Sequence, residues 1–266
     1  MADVVKQHGG AVTAFPKVRP VSVADVMEAL KAGVSDFRTA PAIGLFFGAI
    51  YALGGMLIFA TVFALDLGYL AYPLAAGSVL IGPFVAAGLY EVSREIEAGR
   101  RPSFSTVIRT ALAQRSRELG WMAFVTIFAF IIWMYQVRLL LALFLGFASF
   151  ASLQEFARVL FTTADGLSFL AVGHVIGAAL ALGLFSITVI SFPLLMDRDL
   201  DVVTAMIVSV QAVLASPGPM ILYGIIVVAL LVIAVLPMFL GLLVALPVLG
   251  HATWHLYRRA IVPPAP

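Results

Sequence analysis

Residues 201–256 read DVVTAMIVSVQAVLASPGPMILYGIIVVALLVIAVLPMFLGLLVALPVLGHATWHL, and only the first of these fifty-six residues is Asp, Glu, Lys or Arg. A weakly polar stretch comes first and breaks at a Pro-Gly-Pro turn. Two apolar runs follow, residues 220–236 and 238–257, with Pro237 between them. Each run is close to the ~20 residues with which a helix crosses a bilayer core. The segment therefore predicts a surface helix, a crossing out and a crossing back.

Charged residues are too scarce in this chain to cover a water-facing surface. Of its 266 residues 62% are hydrophobic and only 11% charged, with a mean hydropathy of +1.09. A soluble domain carries about 25% charged residues. In hydrocarbon a helix satisfies its own backbone groups, so long uncharged runs predict transmembrane helices. The lipid bilayer is thus the expected environment of an all-α protein.

Other compositional features exclude several classes of site. The net charge of +2 does not indicate nucleic-acid binding, because the basic residues flank apolar runs. There is no cysteine, which excludes disulfides, thiolate nucleophiles and zinc–sulfur sites. The first forty residues have no apolar core of signal-peptide type, so no cleaved signal is expected. The chain also has no Walker loop, Rossmann fingerprint, Gly-x-Ser-x-Gly elbow or His-Glu-x-x-His motif.

Six apolar segments are predicted to cross the membrane. Their approximate bounds are residues 43–65, 69–90, 119–137 or beyond, 167–195, 220–236 and 238–257. An amphipathic helix precedes each pair of crossings. The first is capped by Ser22, with Asp25 completing a capping box, and the second by Ser103. We favour a membrane-surface packing role for the first helix over a partner-binding one.

The basic residues predict the orientation of the chain. Fourteen of the sixteen Lys and Arg residues lie on one side of the predicted crossings, and only Arg138 and Arg158 lie on the other. Cytoplasmic loops carry the excess of Lys and Arg. We expect a multi-pass protein of the bacterial inner membrane with both termini in the cytoplasm. It would consist of a tail (residues 1–21), a six-helix domain (residues 22–259) and a second tail (residues 260–266).

The three surface-helix and helix-pair units resemble one another. Asp25 and Pro41 have the same spacing as Asp201 and Pro217, whereas the middle copy lacks this proline. Each return helix contains one proline, and these are Pro83, Pro193 and Pro247. All three units start on the same side, which predicts three parallel repeats. Internal repeats are a recurring way to build transporters, but they also arise by plain duplication.

Three histidines are the candidate functional polar residues. His251 and His255 are four residues apart and so lie on one face of the last helix. Such a pair could bind a metal or move protons, but we favour two amphipathic side chains near the inner interface. The acidic side chains of residues 91–97 are expected to form solvated salt bridges in a loop.

His174 is the most deeply embedded titratable group in the prediction. An ionisable residue at this depth marks a candidate functional site, and a neutral imidazole bonded to a neighbouring helix is the simpler alternative. His174 and His251 are expected at different depths, so the pair would not ligate one haem iron. We therefore expect no catalytic residue, metal or cofactor.

Four stretches carry a resemblance to a known family. They are FPLLMDRD (residues 192–199), VTAMI (203–207), SVQAVLASPGP (209–219) and LPVLGHATWHLY (246–257). Over about residues 22–260 the chain resembles a family of bacterial integral membrane proteins defined as a domain of unknown function. The resemblance implies no established activity. Some members carry the label cytochrome c oxidase subunit I, but that subunit needs more helices, and more histidine ligands for its haems and copper, than this chain has.

The sequence favours a non-enzymatic scaffold, accessory subunit or assembly factor for other membrane components. The alternative is a small transporter or channel, with a polar path near His174 and the proline kinks. A haem- or metal-binding oxidase component is the least favoured hypothesis. Partners beyond the bilayer would be other membrane proteins, and a respiratory oxidase enters only through the family label.

Overall fold

The computed structural model describes residues 15–65, 71–113, 117–146 and 152–263, which fold into α-helices. These residues form no β-strand, although one isolated antiparallel bridge joins Val18 and Ile261. The all-α class is confirmed. In chain order the helices are α1 (Val23–Thr39), α2 (Pro41–Phe63), α3 (Ala71–Glu97), α4 (Phe104–Ala113), α5 (Arg117–Leu145), α6 (Leu153–Thr162), α7 (Ala164–Thr188), α8 (Ser191–Asp197), α9 (Val202–Ala215), α10 (Pro217–Val235) and α11 (Leu242–Ala260).

Four helices within the described residues are long and apolar enough to cross a membrane. They are Pro41–Phe63, Gly120–Leu145, Ala164–Asp197 and Pro217–Val235, where the third comprises α7 and α8. The second and sixth predicted crossings correspond to α3 and α11, which are 27 and 19 residues long and are not among the four. The structure thus has several candidate membrane spans, and the count of six stays a prediction.

Local sequence signals mark the residues at which several helices begin. The Ser22 hydroxyl accepts a hydrogen bond from the Asp25 N–H, and the Asp25 carboxylate accepts one from the Ser22 N–H, so the predicted capping box is present. Asp201 caps α9 by accepting from the Thr204 N–H. Proline occupies the first turn of both α2 and α10, where its missing N–H costs nothing.

Two predicted boundaries are corrected by the structure. The last helix starts at Leu242 rather than at residue 238, because residues 236–241 form a turn in which Met238 and Phe239 have φ values of 53° and 66°. The fourth predicted crossing is interrupted at residues 189–190 and continues as α8, which contains Pro193. The third does overrun residue 137, since α5 continues to Leu145.

Some predictions fall on residues outside the described ranges. These are most of the N-terminal tail, the turn predicted at residues 66–68, and the end of the C-terminal tail. Pro83 lies within α3, but its side chain is outside the description as well.

Helix α11 is central to the packing at the end of the bundle that carries Arg258 and Arg259. It contacts α1, α2, α3, α8 and α10, and it buries Trp254, Leu256 and Tyr257. The predicted surface helix α1 packs along α11. By contrast, many large apolar side chains of α5, α7 and α10 are exposed at the side of the bundle, as is expected for helices that face lipid.

Candidate functional site: a polar network around the last helix

Polar side chains from four helices meet around the C-terminal half of α11. We call this group the inner polar network. Its members are Asp36 of α1, Ser93 and Glu97 of α3, Asp197 of α8, and His251, Trp254, His255, Tyr257 and Arg258 of α11. Both histidines of the predicted pair belong to it, but they contact different helices.

His251 is completely buried against α3. Its Nδ1 lies 2.9 Å from the Ser93 hydroxyl oxygen, whereas its Nε2 has no hydrogen-bond partner within the described part of the chain. Burial without a second partner favours the neutral imidazole, because a charged ring would lose its hydration. The side chain is therefore enclosed by protein, and its predicted position near the inner interface stays a prediction.

His255 pairs with a carboxylate of the first helix. Its Nε2 lies 2.7 Å from Asp36 Oδ2, and Asp36 is only 4% exposed. The contact joins residues 219 positions apart in the sequence. The sequence does not indicate this pair, because no local pattern shows which helix covers that side of α1.

Asp197 and Glu97 tie the end of α11 to two other helices. The Tyr257 hydroxyl donates to Asp197 Oδ2 over 2.5 Å, and the Trp254 indole N–H donates to Glu97 Oε2 over 3.1 Å. The Arg258 guanidinium contacts both carboxylates, at 3.0 Å from Glu97 and 3.4 Å from Asp197. These contacts hold α3, α8 and α11 together with charge-assisted hydrogen bonds.

The acidic residues 91–97 correct another expectation. They lie in the last turns of α3 and not in a loop, and Glu91 is buried with its Oε2 2.6 Å from Arg94 Nη2. Glu95 matches the prediction better, since it pairs with the exposed Arg100 over 2.7 Å. Hydrogen bonds from Arg100 lower the pKa of the Glu95 carboxyl below its ordinary value.

His174 lies far from this network, on an exposed face of α7. It lines an open groove of about 840 Å³ between α5, α7 and α10, together with residues such as Trp133, Gln136, Phe169 and Ile225. The Nδ1 atom lies 2.6 Å from the Leu170 carbonyl oxygen, which can only accept, so Nδ1 is the donor in this contact. The structure does not bring His174 and His251 together.

Two of the three prolines predicted to kink helices can be placed in the structure. Pro193 and Pro247 are both buried, the first near the start of α8 and the second inside α11. Neither lines the groove at His174. Among the described residues no group of three or more His, Cys, Asp or Glu side chains could hold a metal ion.

Comparison with known proteins matches the middle of the chain to one family model. Residues 71–197 match the family model described as "Predicted integral membrane protein (DUF2189)". The match agrees with the resemblance to a family of integral membrane proteins defined as a domain of unknown function. The matched range is slightly less than half of the chain, and it ends before residues 201–257, on which most of the resemblance was based. No curated protein and no solved structure matches the chain.

The contacts of the inner polar network therefore mainly hold α1, α3 and α8 against α11. Its carboxylates pair with donors from other helices, as in Asp36 with His255, and such contacts fix helix positions. The Nε2 atom of His251 is buried without a hydrogen-bond partner among the described residues. The groove at His174 instead offers an apolar surface at the side of the bundle.

Proposed function

We propose that this integral membrane protein is a non-enzymatic scaffold, accessory subunit or assembly factor for other membrane proteins. One observation carries the proposal. Polar side chains pair with one another at one end of the bundle, whereas the side of the bundle presents an open apolar groove between α5, α7 and α10. This distribution favours lateral association within the bilayer, where helix contacts depend on close packing.

We further propose six membrane-embedded helices in three parallel repeats, with both termini on the cytoplasmic face of the bacterial inner membrane. The lengths of α3 and α11 are compatible with this count. The α1–α2 and α9–α10 junctions support the relation between the first and third units. Ala40 and Ser216 have similar backbone angles, with ψ values of 56° and 60°, and a proline follows each.

Site-specific photo-crosslinking in native membranes tests the scaffold proposal. A photoreactive residue at Val228 would face the groove, and one at Leu53 of α2 is a matched control, because the two side chains are similarly exposed at 59% and 65%. We expect Val228 to crosslink to another membrane protein and Leu53 to give mainly lipid adducts. A monomer in mild detergent, with only lipid adducts at both positions, would refute the proposal.

The alternative functions lead to different expectations. A transporter or channel would have a polar cavity at His174, but the groove there is lined mainly by apolar side chains. A haem-binding oxidase component would show a Soret band after purification. We expect an optical spectrum without this band.

A further inference from the structure

The turn between α10 and α11 has an unusual composition. We call residues 236–241 the hairpin tip. From residue 224 to residue 250 every residue is Gly, Ala, Val, Ile, Leu, Met, Phe or Pro. The connection between α5 and α7 differs, since it contains Glu155 and Arg158. A turn that emerged into water could carry polar side chains, and the hairpin tip has none.

Part of the backbone of the hairpin tip is hydrogen-bonded within the hairpin, whereas the Met238 and Gly241 N–H groups make no such bond. The Phe239 N–H donates to the Val235 carbonyl over 3.0 Å, and the Leu240 N–H donates to Pro237 over 3.1 Å. Pro237 has no N–H to satisfy, and the Leu242 N–H bonds back to Phe239. Hydrocarbon offers no partner to a backbone group, so each of these bonds lowers the cost of placing the turn in lipid.

Tertiary packing holds the tip in a tight conformation. Met238 and Phe239 both have positive φ values, which L residues other than glycine rarely adopt. The Phe239 ring lies against Gly55 of α2, where an added Cβ would be 2.3 Å from the ring. A Cβ added at Gly241 would lie 2.5 Å from the Ala234 Cα atom. The turn is therefore closed against α2 and α10.

Helix length limits how far the tip reaches. From Leu242 to Arg258 the axial rise is about 24 Å, and along α10 it is about 28 Å, at about 1.5 Å per residue. The hydrocarbon core of a bilayer is about 30 Å thick. If Arg258 lies at one interface, the tip ends within the core near its opposite side.

Three side chains of the tip point away from the protein. Leu236, Met238 and Leu240 are 76%, 49% and 53% exposed. We propose that the hairpin tip ends inside the hydrocarbon and that these side chains contact acyl chains of the leaflet opposite Arg258 and Arg259. The hairpin then enters the bilayer without moving a polar side chain through it, and its tip is an acyl-chain contact surface.

Cysteine labelling tests this proposal directly, because the chain has no native cysteine. The variants Met238→Cys and Leu240→Cys are compared with Gln154→Cys, an exposed position on α6, in nanodiscs whose two faces are both open to water. Maleimide reacts with the hydrated thiolate. We expect the two tip thiols to react with a hydrophilic maleimide at least about tenfold more slowly than the control.

Full labelling of all three variants in sodium dodecyl sulfate would show that the thiols are intact. Spin labels at the same positions give a second measurement. We expect dissolved oxygen to relax the tip labels more than a water-soluble nickel complex does. Tip thiols that react as fast as Gln154→Cys, or spin labels relaxed mainly by nickel, would overturn the proposal.

Discussion

Asp36 lies in the last turns of α1, and its carboxylate is buried against His255. The variant His255→Ala leaves this carboxylate without its partner. An unpaired buried acceptor costs about 1–3 kcal/mol. We therefore expect a lower midpoint of thermal unfolding in detergent.

The matched control for this variant is Lys31→Ala, which breaks the exposed Lys31–Glu28 pair on the same helix. Exposed pairs contribute less than about 1 kcal/mol, so the control should unfold close to the wild type. Equal midpoints for His255→Ala and Lys31→Ala would show that the Asp36–His255 contact contributes little to the free energy of unfolding.

At the scale of single helices, the cap of α9 predicts a dependence on pH. Hydrogen bonds from Thr204 lower the pKa of the Asp201 carboxyl below its ordinary value. The charged cap is thus favoured in the folded state. Its contribution is complete at neutral pH and is lost as the pH falls below the ordinary value and through the folded pKa.

The variants Asp201→Ala and Asp201→Asn separate the cap from its charge. Asp201→Ala should cost about 1 kcal/mol at pH 7, because the helix loses its N-cap. Asp201→Asn keeps a capping oxygen that does not titrate. Thermal unfolding between pH 7 and pH 3 should show the advantage of the wild type over Asp201→Asn shrinking with falling pH. An advantage that grows instead would contradict the assignment.

The contact between α1 and α11 depends on the absence of a side chain at Gly33. A Cβ there would lie 2.6 Å from the Val248 carbonyl oxygen and 2.7 Å from the Ala252 nitrogen. Backbone atoms cannot rotate away, so Gly33→Ala should destabilise the fold by about 1–3 kcal/mol.

Gly183→Ala is the control for this substitution, because nothing lies within 4 Å of a Cβ at Gly183 of α7. Helix propensity alone would leave that variant neutral or slightly more stable. Thermal unfolding of both variants measures the difference. If Gly33→Ala is as stable as Gly183→Ala, the close approach of α1 and α11 is not present in the membrane.

At the scale of the whole molecule, the distribution of Lys and Arg predicts the orientation in the membrane. In intact cells, a membrane-impermeant maleimide should label Gln154→Cys, because α6 is expected on the outer face. Arg101→Cys, in the turn between α3 and α4, should react only after the cells are permeabilised. The reverse labelling pattern would contradict cytoplasmic termini.

Properties that depend on near neighbours could be predicted from the sequence. The capping box at Ser22 follows from short-range backbone chemistry and was predicted. The Pro-Gly-Pro segment was predicted as a turn, but it forms the first turn of α10. The confirmed membrane class follows from the scarcity of charge over the whole chain. The break at residues 189–190 was missed, and the turn predicted at Pro237 is longer than expected, because periodicity does not show where packing interrupts an apolar run.

The sequence by itself determined that this protein is helical and that it resides in lipid, because both properties follow from local pattern and total composition. Only the tertiary structure decided that His255 pairs with Asp36, that His251 is buried beside Ser93, and that His174 faces an open apolar groove. The physical reason is that these contacts join residues far apart in the chain. Which faces of two helices meet depends on the packing of all the helices together.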